Sequence, residues 1–368
     1  TGGTTIGGTL TATTINLTDT TDAASITFNG NVSATTFNTE AEGYNVIFNG
    51  TTSTITDAVT FSNSGSVTFG NGTGDTTTFT GGVTATAPSQ VNLAGTIRTT
   101  NNTMSLGDAG TPVVLTANTI LSGNTTGAIT LGGTVNGAYS LTVNTTGTTT
   151  LSGDIGGNTA LTTLTTNTGG TTVISVDIKT SSTQTYNDAV TINGTLDFTG
   201  STVQFANTLA GDDGSGDNLT ISGALDLDGA ATSLTSLTVE GTSNLGADVT
   251  TSSTQTYTSG VTVSGGDRIL TGTIINFGST LAGGTNALTI TGNVDLDGAA
   301  TDLSTLAVSG TSNLGADVTT SSTQTYTGDV TISADISLNT SGGDVTFDGD
   351  VTSAVSGSSS SLIYYTTT

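Results

Sequence analysis

The sequence contains no cysteine, histidine or tryptophan, and only three of its 368 residues carry a cationic side chain. Without histidine or cysteine it has no Ser-His-Asp triad, cysteine nucleophile, haem-ligating histidine, zinc finger or iron–sulfur cluster. Against the three cations stand 28 Asp and Glu residues, for a formal charge of −25. Nucleic acids and anionic membranes are bound through Lys and Arg, so we expect neither as a partner. No run of 18 apolar residues occurs, so we also expect no membrane insertion.

Good helix formers are scarce, and the dominant residues are 92 Thr and 52 Gly, both poor in helices. Apolar residues still make up 33% of the chain. They alternate with Thr or Asn in short segments that Gly soon follows, a pattern typical of β-strands. We therefore predict an ordered, all-β protein. Representative segments are Ile26–Phe28, Val46–Phe48, Val67–Phe69, Ile129–Leu131 and Val345–Phe347.

Internal repeats organise the second half of the chain. Residues 241–258 recur unchanged 69 positions later, and residues 226–232 recur at the same offset. A partial copy, 180–186, lies 71 positions before its match. In the first half, phenylalanines recur every 20 or 21 positions, so we interpret the 69–71-residue unit as three turns of about 23. This period predicts a β-solenoid, a parallel β-helix with about 20–23 residues per turn and roughly 17 turns.

We divide the chain into three segments on this basis. Residues 1–127 are divergent solenoid turns, 128–350 carry the 69–71-residue repeats, and 351–368 are a Ser-rich tether with a terminal strand. Stacked turns should share one core, with Val, Ile, Leu and Phe pointing inward and Thr and Asn pointing outward. A row of small β-sandwiches is the alternative, but the repeat is too short for an immunoglobulin-like domain.

The phenylalanines are predicted to form a stack in this core rather than a sugar-binding platform. One tyrosine recurs at the same place in each repeat, which favours a repeated role at a corner or in the core over a binding site. The residues concerned are Phe28, Phe48, Phe61, Phe69, Phe79, Tyr186, Tyr257 and Tyr326.

Three segments, Thr251–Val263, Thr320–Ile332 and Ala138–Leu164, resemble the β-strand-repeat proteins of bacterial surfaces. These are the filamentous-haemagglutinin-like exoproteins and autotransporter passengers, and the resemblance is clearest over residues 128–350. It implies a secreted, right-handed parallel β-helix at the bacterial cell surface, serving as an adhesin, fibre or matrix component. The sequence has neither the Asn-Pro-Asn secretion motif nor Arg-Gly-Asp, so the resemblance does not imply a secretion route or a receptor for this chain.

An acidic, Gly-rich loop is the main candidate for a metal site. Its carboxylates are Asp212, Asp213 and Asp217, and hard oxygen ligands of this kind suit Ca²⁺. The loop is three residues longer than its counterpart in the next repeat, Gly283–Asn286, so it should bulge from the coil. The alternative is a solvated acidic turn that binds nothing.

Pairs of carboxylates recur elsewhere. Asp226 and Asp228 flank a leucine, so both should point outward on one face, and Asp295 and Asp297 repeat the arrangement. These pairs could hold cations diffusely. Glycoside hydrolysis also needs two carboxyl groups, but a pair that recurs in successive repeats is typical of surface decoration. We therefore predict that the protein is not an enzyme and requires no cofactor.

The leading functional hypothesis is an extracellular structural protein that assembles with itself into a bacterial surface fibre, sheath or matrix. The terminal segment Leu362, Ile363, Tyr364 and Tyr365 is predicted to be a strand with nothing of its own to pair with, and so to pair with another copy. One alternative is an adhesin stalk that binds cells, with surface glycans as a candidate partner. Another, given less weight, is a carbohydrate-active β-helix. Recognition surfaces are rich in Tyr, Trp and Arg, which are sparse here, and this favours the structural hypothesis.

Overall fold

A computed structural model describes residues 2–18, 21–354 and 362–366 of the chain, the last of these as backbone. Within these residues all regular structure is β-strand, and no helix is long and apolar enough to cross a membrane. Parallel strands stack into a β-solenoid of about 17 turns in total, which confirms the predicted fold class. The chain forms two compact units, residues 1–191 and 192–368, which are described separately.

Unit 1 is built from parallel strands whose partners lie one turn apart. Ile26 pairs with Val46, and Val46 pairs with Val67, so the turns have the length of 20 or 21 that the phenylalanine spacing predicts. The turn from Met104 to Ile129 is longer, at 25. Its strands are β1 (Thr4–Ile6), β2 (Leu10–Leu17), β3 (Ser25–Phe28), β4 (Val32–Thr39), β5 (Asn45–Phe48), β6 (Thr52–Ile55), β7 (Val59–Thr60), β8 (Val67–Phe69), β9 (Thr76–Phe79), β10 (Val83–Ala85), β11 (Val91–Thr99), β12 (Met104–Leu106), β13 (Val113–Ser122), β14 (Ile129–Leu131), β15 (Val135–Asn136), β16 (Leu141–Asn144), β17 (Thr148–Leu151), β18 (Leu164–Thr166), β19 (Thr171–Ile174), β20 (Ile178–Lys179), β21 (Thr183–Tyr186) and β22 (Ala189–Ile192).

Unit 2 has three faces, because over much of its length each strand pairs with the third strand after it. Its strands are β23 (Thr195–Thr199), β24 (Thr202–Phe205), β25 (Leu209–Gly211), β26 (Asn218–Ile221), β27 (Ala224–Leu227), β28 (Ala231–Leu234), β29 (Ser236–Val239), β30 (Ser243–Leu245), β31 (Val249–Thr251), β32 (Thr254–Tyr257), β33 (Val261–Val263), β34 (Arg268–Phe277), β35 (Leu281–Ala282), β36 (Leu288–Leu296), β37 (Ala300–Leu303), β38 (Leu306–Val308), β39 (Ser312–Leu314), β40 (Val318–Thr320), β41 (Gln324–Tyr326), β42 (Val330–Ile332), β43 (Ile336–Thr340), β44 (Val345–Phe347), β45 (Val351–Ser353) and β46 (Leu362–Thr366).

The longer repeat of unit 2 does not contain three turns of 23, and this part of the sequence-based interpretation was wrong. Leu219 pairs with Leu237, and Leu237 pairs with Gln255, so partners in adjacent turns are only 18 positions apart. The residue 69 positions after Leu219 is Leu288, which lies in a different column and pairs with Leu306. Because the shorter turns do not divide evenly into 69, equivalent residues of successive repeats fall on different faces of the solenoid.

Inside each turn the alternation of strand residues produces a continuous apolar core. In unit 1 the predicted phenylalanine stack is confirmed: adjacent rings are buried, with centroids 5.2–6.2 Å apart. Aromatic pairs at this spacing each add about 0.5–1.5 kcal/mol beyond their buried area. The members of the stack are Phe28, Phe37, Phe48, Phe61, Phe69 and Phe79.

The sequence pattern predicted that threonine points outward, but some threonines lie inside the coil. Thr149 and Thr172 lie in register below Ile129, and both are fully buried. Threonine has the branched shape of valine and so fits an apolar column, but its hydroxyl group then needs a partner. Thr172 donates to Asp188, whereas the hydroxyl of Thr149 has no hydrogen-bond partner within the described residues.

Asp188 is a carboxyl group buried in unit 1, only 1% exposed. Its Oδ1 accepts a hydrogen bond from Gly170 N at 2.8 Å, and its Oδ2 accepts one from Thr172 Oγ1 at 3.3 Å. Burial raises the pKa of the Asp188 carboxyl, and the two hydrogen bonds only partly oppose that rise. The folded chain therefore holds this proton more tightly than the unfolded chain does.

We expect the substitution Asp188→Asn to remove a pH-dependent loss of stability. Because the folded pKa lies above its ordinary value of 3.8, wild-type stability falls as pH rises from about 4 through the folded pKa. An amide can still accept from Gly170 and can donate to Thr172. In thermal unfolding followed by circular dichroism, the stability of the variant relative to wild type should increase from about pH 3 to about pH 7. A difference that stays constant or decreases would contradict this account.

Candidate functional site

The acidic loop of unit 2 connects β25 to β26 and brings the three predicted carboxylates together. One carboxylate oxygen from each of Asp212, Asp213 and Asp217 lies within 4.8 Å of the others. In the part of the chain that the structure describes, this is the one group of three or more acidic side chains that meets this spacing. Asp212 and Asp213 are exposed, as expected of a bulge, whereas Asp217 is 1% exposed.

One oxygen atom of each carboxylate in the loop accepts a hydrogen bond from the protein. Asp217 Oδ1 accepts from Gly194 N at 2.8 Å, and Asp213 Oδ1 accepts from Ser215 N at 2.8 Å. Asp212 Oδ2 accepts from the side-chain amide of Asn193. The other oxygen of Asp217, Oδ2, is buried and has no hydrogen-bond partner among the described residues.

The next repeat places an asparagine where the loop has Asp217. When residues 218–234 are aligned with 287–303, Asn286 occupies this position. Its Nδ2 donates to the carbonyl oxygens of Val263, at 3.2 Å, and Gly283, at 3.0 Å. A half-buried amide thus donates to two backbone carbonyls in one repeat, and a buried carboxylate, which cannot donate when ionised, replaces it in the other.

The repeated acid pairs are tied to amide side chains. The Gln204 Nε2 atom donates to Asp226 at 3.0 Å and to Asp228 at 3.3 Å, so one amide reaches both carboxylates on the same face. In the next repeat, Asn313 donates to Asp295 at 2.7 Å. Asp295 also lies in register with Asn276 of the preceding turn. Asp297 follows the end of β36 and is exposed.

The two acid pairs do not form one ladder. Asp226 pairs in register with Asn244, whereas Asp295 pairs with Asn276 and Asn313, and these columns are on different faces. Because the turns do not divide evenly into the repeat, Asp226 and Asp295 lie on different faces of the coil. The sequence could not indicate this without the true length of the turns.

The terminal segment has a partner within its own chain, which corrects the expectation that it lacks one. β46 pairs in parallel with β43: Leu362 lies opposite Ile336, and Tyr364 lies opposite Leu338. The backbone of Leu362, Ile363, Tyr364 and Tyr365 therefore extends the solenoid. The sequence misled because the Ser-rich tether before this strand suggested a detached segment, whereas a long connection can return a strand to the sheet.

No family model, curated protein or solved structure matches this chain. The stacked parallel strands are consistent with β-helix repeat proteins as a class of fold.

Proposed function

We propose that the protein is a non-catalytic structural protein of a bacterial surface, whose solenoid units assemble end to end into a fibre, sheath or matrix. The observation that carries the proposal is the exposed core at the outermost turn of unit 2. β44, β45 and β46 pair with β41, β42 and β43, and no further turn follows within the described residues. The outer edge of such a turn can pair with a further parallel strand.

The side chains of this turn are apolar where a further turn would cover them. Val351 is 42% exposed, although Val330, its partner one turn earlier, is fully buried. Phe347 is half-buried and stacks on Tyr326 with ring centroids 5.4 Å apart, so Tyr326 covers one ring face. Burying such apolar surface contributes roughly 25 cal/mol per Å², which favours association of this turn with a solenoid turn of another copy.

The first turn of unit 1 offers a matching surface. β1 pairs with β3 and β2 pairs with β4, in parallel, and no turn precedes them in the described part of the chain. Ile6 and Leu10 are half-buried, whereas Val32, the partner of Leu10, is 1% exposed. A parallel edge on unit 1 and another on unit 2 permit a contact between different edges of two copies, which is a heterologous interface that grows into a filament when it does not close.

The purified chain should form end-to-end oligomers that lengthen with protein concentration, measured by sedimentation velocity and electron microscopy. Val351→Asp should shorten them, because it places a further negative charge on an apolar end that already belongs to a strongly acidic chain. Thr250→Asp is the matched control: it adds the same charge to an exposed position in β31, on the side of the coil. We expect it to leave oligomer length unchanged.

Two results would overturn the assembly proposal. One is a wild-type chain that stays monomeric at every concentration tested. The other is a native protein whose intact mass shows a longer chain that covers these ends itself. Binding of the monomer to cells or glycan arrays, reduced by substitutions on the sides of the coil, would instead support the adhesin alternative.

A further inference from the structure

We propose that the acidic loop, Asp212, Asp213 and Asp217, is a binding site for a calcium ion. This inference does not depend on the proposed assembly, since the loop lies on the side of unit 2. Clusters of three carboxylates are common on acidic surfaces. What distinguishes this loop is the environment of Asp217.

Asp217 contributes an oxygen atom that the protein itself leaves without a partner. The side chain is 1% exposed, and Oδ2 has no hydrogen-bond partner among the described residues. Leaving a buried acceptor unsatisfied costs about 1–3 kcal/mol, and more for a charged group. A cation that binds Oδ2 removes this cost, so the orphaned oxygen indicates a ligand.

The orphaned oxygen lies at the start of the loop, beside Gly211. A methyl group built on Gly211 would meet Asp217 Oδ2 at 2.5 Å and would also collide with the carbonyl oxygen of Ser233. Oδ2 therefore lies over Gly211, immediately before Asp212 in the chain, with a backbone carbonyl nearby. Carboxylate and carbonyl oxygens are the ligands that Ca²⁺ takes, with water completing six to eight positions.

The next repeat supplies an internal comparison. Asn286, at the position of Asp217, donates to the carbonyl oxygens of Val263 and Gly283. That turn is three residues shorter and has no counterpart of Asp212 and Asp213. The change from amide to carboxylate thus accompanies the insertion that brings two more carboxylates to the same place. A solvated acidic turn would account for the two exposed carboxylates, Asp212 and Asp213, but not for the buried carboxylate of Asp217.

No cationic side chain of unit 2 is placed to neutralise the loop. Between residues 192 and 368 there are 18 Asp and Glu residues and one cation, Arg268. Its guanidinium group donates to the carbonyl oxygens of Ser264 and Asp267, the segment before β34. A divalent ion is therefore the fitting counter-charge. Because the loop is partly exposed, we expect a dissociation constant of about 10⁻⁴–10⁻³ M.

The test is hydrogen exchange of peptides covering residues 209–221 in the full chain, with and without about 10 mM CaCl₂ at constant ionic strength, a concentration above the expected dissociation constant. Calcium should slow exchange in the wild type. Asp217→Asn should abolish that response, because it removes the buried carboxylate. Without calcium, the same variant should exchange more slowly than wild type, because its amide can donate as that of Asn286 does. The order of the two proteins thus reverses when calcium is added.

Glu240→Gln is the matched control, since it removes one exposed charge from the same unit, outside the loop and outside the recurring acid pairs. It should keep the full calcium response, and MgCl₂ at the same concentration should give a much smaller response than CaCl₂. The proposal fails if calcium leaves wild-type exchange unchanged, or if Asp217→Asn responds as the wild type does. It also fails if both variants, each of which removes one carboxylate, lose the calcium response equally. That result would indicate diffuse screening of negative charge and not a specific site.

Discussion

A Gly292→Ala substitution should destabilise unit 2 by about 3 kcal/mol or more, although it adds a single methyl group. Gly292 has a φ of +140°, a backbone conformation that costs other residues energy. A Cβ atom at this position would also fall almost on the carbonyl oxygen of Gly272, one turn earlier. Backbone strain and a backbone collision therefore act together.

Gly292 belongs to a column of glycines along one corner of unit 2. Gly310 N donates to Gly292 O at 3.0 Å, and a Cβ at Gly310 or Gly328 would meet the backbone of the glycine one turn before. The chain turns so tightly at this corner that the backbones of successive turns touch. A side chain cannot be accommodated by a rotamer change, because the obstacle is backbone.

Two glycine variants separate strain from collision. Gly194→Ala keeps the positive φ, +94°, but has open space around the new methyl group, and Gly74→Ala has neither problem. Urea unfolding should rank Gly292→Ala as most destabilising, Gly194→Ala next at about 1–2 kcal/mol, and Gly74→Ala near zero. An equal effect at Gly292 and Gly194 would show that the collision is relieved at no cost.

The fold could be predicted because its determinants are local and repeated. The alternation in segments such as Ile26–Phe28 defines strand and face, and the absence of helix formers removes the main alternative. The phenylalanine column followed for the same reason, since a residue that recurs every 20 or 21 positions stacks on itself in a coil of that period.

The turn length of unit 2 could not be predicted in the same way. Identical sequences in successive repeats suggest identical positions on the coil, but the register is determined by how tightly each corner closes. At corners such as the one at Gly292, the backbones of successive turns lie in direct contact. That detail depends on contacts between turns, which a single sequence does not display.

The candidate site could also be predicted only in part from the sequence. The acidic residues and the three-residue insertion are visible in the sequence, so the proximity of Asp212, Asp213 and Asp217 could be expected. The burial of Asp217 and its unpaired Oδ2 could not. They depend on Gly211 and on the carbonyl oxygen of Ser233 in the next turn, a neighbour that becomes apparent only once the register is known.

A second structural element was recognised only in part from the sequence. Tyr257 was predicted to lie at a corner or in the core, and it is buried in the core, stacked on Phe277 with ring centroids 5.6 Å apart. The role of Gln255 was missed. Its Oε1 accepts from Tyr257 Oη at 3.1 Å, and its Nε2 donates to the carbonyl oxygens of Val249 and Thr271 at 3.2 and 2.8 Å.

The same pair recurs as Gln184 with Tyr186 and as Gln324 with Tyr326, and all of these side chains are fully buried. Burial raises the pKa of each of these tyrosine hydroxyls, so the neutral form that donates to glutamine is favoured. The network therefore satisfies a buried amide, a buried hydroxyl and backbone carbonyls at once. Such networks are costly when one member is removed.

We expect Gln255→Leu to destabilise unit 2 by about 3 kcal/mol or more, although it introduces an apolar residue into an apolar core. It leaves the Tyr257 hydroxyl without its acceptor and removes the glutamine donor from the carbonyl groups of Val249 and Thr271, the second of which keeps only a 3.5 Å hydrogen bond from the Thr251 hydroxyl. Each buried group left unsatisfied costs about 1–3 kcal/mol. Tyr257→Phe should cost less, because it orphans only Gln255 Oε1. The double variant should cost less than the sum of the two, since removing the tyrosine hydroxyl eliminates one group that Gln255→Leu would orphan.

Urea unfolding of the four proteins, with hydrogen exchange of residues 249–277 as the local readout, measures these differences. Gln204→Leu is the control, because that glutamine is half-buried on the outer face and its carboxylate partners can turn to water; it should cost less than about 1 kcal/mol. Stability should also fall as pH rises above about 10, because the unfolded chain then releases tyrosine protons that the folded chain retains. Additive costs in the double variant would mean that Gln255 and Tyr257 act independently. In that case, the shared spacing of Gln and Tyr in the three repeats would reflect packing alone.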